Sequence, residues 1–290
     1  MTRILLTGKN GQVGYELERS LQGLGEIIAV DRSRMDLSDL DQVRDVIRQV
    51  KPDLIVNPAA YTAVDKAETE PGLAMRVNGE APAVMAAEAK KLGAALIHYS
   101  TDYVFDGTKN SPYAEDDETN PINIYGKSKL AGELAIREAG IPHLILRTSW
   151  VYGMRGKNFL LTILRLAQER DELRIVGDQF GAPTWSRTIA EVTSHIVAQL
   201  NVAGDSATWW RENQGTYHLT AQGNTSWAGF TKQILANAKS QKSVLVSAIT
   251  TAEYPLPAKR PQYSVMSSEK LMGRFGVLPT WDMALGLCQS

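Results

Sequence analysis

The stretch "RILLTGKNGQVGYELERS", Arg3 to Ser20, decides the fold. It opens as a short apolar strand, turns through Gly8, Gly11 and Gly14, and continues as a helix-like segment. The first glycine permits a tight turn, the second lets backbone amides approach a pyrophosphate at the helix N-terminus, and the third allows close helix packing. Gly8, Asn10, Gly11, Gln12, Val13 and Gly14 are therefore candidate cofactor-binding residues. Such a triplet is weak alone, and its place at the first strand-to-helix turn of a βαβ pattern gives it meaning.

The same rhythm runs to about residue 150. The apolar runs "EIIAVD" (26–31), "DLIVNPAA" (53–60), "AALIHYS" (94–100) and "HLILRTS" (143–149) alternate with helix-like stretches. One of these, "SDLDQVRDVIRQVKP" (38–52), carries Leu40, Val43, Val46, Ile47 and Val50 at helical spacing and ends at Pro52. Continuous apolar strands alternating with helices predict an α/β fold, a doubly wound parallel sheet of the Rossmann type. Residues 1–150 are expected to form the NAD(P)-binding domain. About 151–290 contribute a smaller α+β substrate domain, with elements between 151 and 200 returning to the sheet. "TYHLT" (216–220), "WAGFTKQILANAK" (227–239), "SVLVSAI" (243–249) and "SSEKLMGRFG" (267–276) read as that smaller part, and 201–215 as an exposed loop that Trp209 and Trp210 can pin.

Composition narrows the partners. The 290 residues hold 31 Lys and Arg against 32 Asp and Glu, a net charge of −1 that offers no footprint for nucleic acid or an anionic membrane. A small molecule is the expected partner. One cysteine, Cys288, permits no intramolecular disulfide, and with strand-like sequence from Arg3 onward there is no secretory pattern, so a cytoplasmic protein is expected. No run reaches the roughly 18 apolar residues of a membrane span. The four histidines are scattered, with His98 and His143 in apolar strands, and read as structural; no cluster has metal-ligand spacing.

Two further features carry chemistry. Asp31 follows Gly14 by 17 residues and suits the adenosine ribose, whereas Arg32, Ser33 and Arg34 suit a 2′-phosphate, so NADPH and NADH both remain open. Downstream, Tyr125 and Lys129 in "YGKSKLAGE" stand four apart on a helical pattern and share one face. A phenol titrates at about 10, so a nearby ammonium is needed to ease proton transfer near neutral pH. The strand ending in "YSTDY" brings Ser100 and Thr101 to the same edge, where a hydroxyl can bind a carbonyl oxygen gaining charge.

Thr101, Tyr125 and Lys129 match the catalytic set of the short-chain dehydrogenase/reductase family. With "TGKNGQVG", "NPAA", "YSTDYVF" and "YGKSK", the chain resembles its extended branch. Dehydratases of that branch carry Asp-Glu after the threonine, whereas Asp102 here is followed by Tyr103. "TAVDKAE" (62–68), "RTSWVYG" (147–153), "DQFGAPT" (178–184) and "PLPAKRPQYSVMSSEKL" (255–271) are similar to the branch's 4-keto reductases of dTDP-sugars. The resemblance implies hydride transfer to C4 of such a sugar, with Tyr125 as proton donor, Lys129 lowering its pKa and holding the nicotinamide ribose, and Thr101 on the carbonyl oxygen. It implies that Asp36 and Leu37 flank the adenine, and that Ala59, Ala60 and Tyr61 line the cofactor cleft. Asp102, Tyr103 and Trp150 would shape the sugar pocket, and Arg260 would approach the diphosphate. Asp36 also reads as a helix cap and Trp150 as a packed aromatic. Some relatives are magnesium-dependent, and no evident Mg2+ site stands in the sequence. A homodimer is compatible with the family, as is a non-catalytic relative that serves as a regulatory subunit of methionine adenosyltransferase.

Overall fold

The computed structural model describes residues 2–238 and 243–290. The five apolar runs become strands β1 (Arg3–Leu6), β2 (Glu26–Ala29), β3 (Leu54–Asn57), β4 (Ala95–Thr101) and β5 (His143–Thr148). All are parallel, in the spatial order β5, β4, β3, β1, β2, so the chain reverses its winding between β1 and β3. That reversal opens a crevice at the carboxyl ends of the two strands, where open α/β sheets bind ligands.

Helices cover both faces. Helix α1 (Gln12–Ser20) packs with the helix Ser186–Val202 on one face, burying Leu17, Leu21, Ile189 and Val197 against Ile4, Leu6, Val56 and Ile97. On the other face lie α2 (Leu40–Val50), the short α3 (Val64–Ala67) and α4 (Pro71–Met75), α5 (Ala81–Leu92) and α6 (Ile124–Ala139). The apolar stripe of α2, Val43, Val46, Ile47 and Val50, is buried there with Ala86, Met85 and Ile136. Asp39 starts α2 by accepting from the Asp41 and Gln42 amides, and Lys51 ends it in a left-handed conformation before Pro52. Burying each such aliphatic side chain contributes about 1.5–3 kcal/mol.

Three expectations are corrected. "TYHLT" does not belong to the smaller part: Gly215–His218 pairs in parallel with β5 as the sixth strand of the main sheet, and Tyr217 is buried in its core. The segment 201–215 contains a helix, Ser206–Asn213, started by the Asp205 side chain, with Trp210 only 7% exposed. Most of its polar residues face solvent, while Trp210 is buried in the main core, Trp209 packs against it, and Asn213 is buried.

The run 267–276 also leaves the smaller part: Leu271 and Phe275 of its helix, Glu269–Phe275, are buried in the main core with Tyr217. A second core forms around Tyr152, Leu160, Ile163, Leu173, Phe230, Ile234 and Leu285. Here Glu172–Val176 pairs in parallel with Leu245–Ile249, beside the helices Phe159–Glu169, Trp227–Asn237 and Trp281–Gln289. The helix-like run 227–239 ends in the structure at Asn237, and its last residue lies outside the described residues.

Candidate active site

The glycine turn stands at the crevice. Gly8 has φ +59°, and a Cβ there would lie 2.9 Å from the Ala59 Cβ; a Cβ on Gly14 would lie 2.1 Å from the Gly8 carbonyl oxygen. Only glycine allows β1, α1 and the 59–60 segment to meet this closely. The first bond of α1 runs from the Tyr15 amide to the Gly11 carbonyl at 3.0 Å, leaving the Gln12, Val13 and Gly14 amides at the helix start for an anion. Asn10 donates to Asp31 at 3.2 Å, and the Ser33 hydroxyl, ahead of the opposing effect of desolvation, helps hold Asp31 below its usual range.

Beside the turn is a cavity of about 230 Å³ lined by Gly8, Arg32, Met35, Asp36, Leu37, Ala59, Ala60, Tyr61, Leu73 and Val77. Seven of the expected cofactor residues line it, joined by Met35, Leu73 and Val77, whose apolar side chains gave no separate signal in the sequence. Arg32 pairs with Asp36 at 2.9 Å on the surface, and Asp36 also accepts from the Ser38 amide and hydroxyl, so it braces its own turn while Asp39 caps the helix.

A π-helical turn, Arg76–Glu80, joins α4 to α5. Such turns insert into α-helices frequently at functional sites. Its Asn78 accepts from the Tyr61 amide at 2.8 Å and donates to the Tyr61 carbonyl and the Ser128 hydroxyl, both at 3.0 Å. One buried carboxamide thus ties the cleft wall to α6. Asn78 was missed in the sequence, where nothing distinguishes it from a surface asparagine.

Helix α6 begins at Asn123, whose side chain accepts from the Gly126 amide at 2.7 Å and donates to the Lys259 carbonyl at 2.8 Å. This start brings Tyr125 to the end of β4, beside Thr101. Thr101 donates to Asp102 at 2.9 Å, and Ser264 donates to the other Asp102 oxygen at 2.5 Å. Burial pushes Asp102 up to about 6 against those bonds. Tyr103 meets Tyr125 edge to face, ring centres 5.8 Å apart.

Lys129 lies 2% exposed on the same helix face. Its ammonium donates to the Tyr99 carbonyl at 2.6 Å and lies 3.2 Å from His98 Nε2; burial pulls it down to about 8. Tyr125 is pushed up to about 12, chiefly by burial. In this arrangement the Lys129 ammonium is directed at the Tyr99 carbonyl and at His98 of β4. His98, which the sequence presented as a structural histidine, stands directly behind the candidate lysine.

The candidate sugar-site residues have firm supports. Trp150 takes the unusual φ of +46° and stacks on Trp227, ring centres 3.5 Å apart. Arg260 makes a two-pronged ion pair with Asp65, at 3.0 and 2.8 Å, and lies close to Tyr103. Asp65 and Ser264 were not singled out in the sequence; their partners lie 195 and 162 residues away along the chain. Among the described residues no group of three or more His, Cys, Asp or Glu side chains is gathered to hold a metal, and no helix is long and apolar enough to cross a membrane.

A family model described as the RmlD substrate binding domain matches residues 1–289. A dTDP-4-dehydrorhamnose reductase of Burkholderia thailandensis is 50% identical over 99% of this chain and 97% of its own length. The crystal structure of a dTDP-4-dehydrorhamnose reductase from Clostridium acetobutylicum superimposes with a TM-score of 0.90 at 37% identity, covering 99% of this chain and 98% of that one. That of the Bacillus anthracis dTDP-4-dehydrorhamnose reductase in complex with NADP has the same TM-score at 35% identity and the same coverage. Matched nearly end to end by the model and by relatives of one name, the chain belongs to the RmlD family of dTDP-4-dehydrorhamnose reductases.

Proposed function

We propose that the chain reduces the 4-keto group of dTDP-4-dehydro-L-rhamnose to give dTDP-L-rhamnose, an activated sugar for cell-surface polysaccharide. The observation that carries this reading is the assembly of Tyr125, Thr101 and Asp102 at the carboxyl end of β4, with Lys129 one turn along α6. Tyr103, standing where a dehydratase has its second acid, supports reduction over elimination. The cofactor is NADPH in this reading, supported by the exposed Arg32 beside the cavity and by the relative bound to NADP.

The fit of the chain to a dinucleotide rests on the glycine contacts and the lined cavity. The Gln12, Val13 and Gly14 amides would receive its pyrophosphate, and Leu37, Ala59 and Ala60 its adenine. Bound dihydronicotinamide supplies the hydride. Tyr125 gives its proton to the C4 oxygen as charge builds there, and Thr101 turns its hydroxyl from Asp102 to the same oxygen. Lys129 holds a positive charge beneath the site. The second core and the Arg260 segment would frame the sugar nucleotide, with Trp150 on the sugar and Arg260 exchanging Asp65 for the diphosphate.

The test is a panel of 4-keto deoxysugar nucleotides, each assayed with NADPH and NADH. Fastest NADPH oxidation with dTDP-4-dehydro-L-rhamnose is expected. Faster turnover of another sugar would move the assignment within the reductases, and cofactor binding without turnover of any sugar would favour the regulatory alternative.

A further inference from the structure

A line of buried polar side chains crosses the sheet behind Lys129. Thr7 follows β1, Asn57 ends β3, and His98 is its register partner in β4. Thr7 Oγ1 lies 2.7 Å from Asn57 Oδ1, Asn57 Nδ2 lies 3.0 Å from His98 Nδ1, and His98 Nε2 lies 3.2 Å from Lys129 Nζ. Each of the four residues is at most 2% exposed, so water does not compete for these contacts.

Charge fixes the direction of the line. Burial and the neighbouring lysine both push His98 well below its ordinary pKa, leaving a neutral ring with one N–H and one lone pair. An ammonium only donates. The lone pair therefore faces Lys129 from Nε2, and the proton sits on Nδ1. Nδ1 then donates to the carboxamide oxygen of Asn57, and the carboxamide nitrogen donates to Thr7 Oγ1; the contacts on both sides of Asn57 hold with its oxygen and nitrogen exchanged. Thr7 Oγ1 then accepts from Asn57, as it does from the Ala59 amide at 3.4 Å.

We propose that His98 is a positioning residue for the reduction: its Nε2, oriented by Asn57 and Thr7, holds the Lys129 side chain and sustains its ammonium form beneath the site. The significance for turnover rests on the proposed function; the contact itself does not. Other groups facing Lys129 do not replace this acceptor. The Tyr99 carbonyl takes one donor and Tyr125 is uncharged; Glu133 on the same helix favours the ammonium through its charge, while its oxygens are engaged by Arg147 of β5 at 2.7 Å and by Arg137 at 2.8 Å. Arg147 in turn lies 3.5 Å from the neutral His218, and Asp102 acts on Tyr125.

Two measurements test this. In the wild-type protein, ring 15N shifts should show His98 as the Nδ1–H tautomer while Lys129 is charged; the Nε2–H tautomer there would overturn the proposal. In protein labelled at lysine 13Cε, the Lys129 signal, assigned by its loss in Lys129→Met, should titrate about one unit lower in His98→Leu. Losing the acceptor weakens the charged form, so the alkaline limb of kcat should move to lower pH by the same amount. His98→Gln, with an oxygen for Lys129 and an N–H for Asn57, should restore both. Titration and rate profile unchanged in folded His98→Leu would make His98 a packing residue only. The tautomer is read without any variant and the titration without any sugar, so absence of keto-sugar turnover would strike the proposed function and leave both readings in force.

Discussion

At the residue scale, Tyr125 and Asp102 make separable demands. Tyr125→Phe keeps the ring that meets Tyr103 and removes the proton donor. Its kcat is expected to fall roughly 10²–10⁴-fold, with NADPH affinity by fluorescence titration nearly unchanged. Asp102 is a stability statement as well. Its pKa rises from 3.8 to about 6 on folding, so no penalty exists below the unfolded value, and stability is lost as pH rises through the interval, to a total of ~3 kcal/mol. Asp102→Asn should therefore gain stability in urea titrations at about pH 7.5 and lose that gain toward about pH 4. An equal gain at both values would remove burial of the charge as the cause. Thr101, Tyr125 and Lys129 were legible because they repeat a pattern within one strand end and one helix turn. Asp65, Asn78, His98 and Ser264 were not, since each acquires its role from a partner that only folding brings near.

At the element scale, α6 is both a core helix and the carrier of the site. It approaches the π turn so closely that a Cβ on Gly132 would lie 2.3 Å from the Asn78 carbonyl oxygen. Backbone cannot yield as a side chain can, so Gly132→Ala must displace the helix. A loss of about 1–3 kcal/mol is expected in chemical denaturation, together with a fall in kcat as Tyr125 and Lys129 move off β4. Full activity in a destabilised variant would show that the site tolerates the shift. The helices with continuous apolar stripes, such as α2, were legible by periodicity. Ser206–Asn213 was not, because a helix of this length holding one buried tryptophan has too short a stripe to stand out from a polar loop.

At the scale of the whole molecule, the doubly wound parallel sheet was readable from the alternation of runs, while the sixth strand was not. Gly215–His218 reaches the sheet only after the chain has visited the second core, and no local pattern says which of two sheets a short strand will join. Returning segments bind the two parts together: Asn123 to Lys259, Asp65 to Arg260 and Asp102 to Ser264 all cross from the first half of the sequence to the last fifty residues. The π turn adds a different kind of consequence. It spends one residue more than an α-helix of the same path requires, and the flanking α4 and α5 keep their faces on either side of it. Chain length here is thus a coded insertion. Deleting Asn78 should close the turn into regular helix with its phase intact, giving a protein that is folded by circular dichroism but binds NADPH roughly tenfold more weakly, since Tyr61 loses its clamp. A lineage that shed that single codon would keep the architecture and lose the cleft wall.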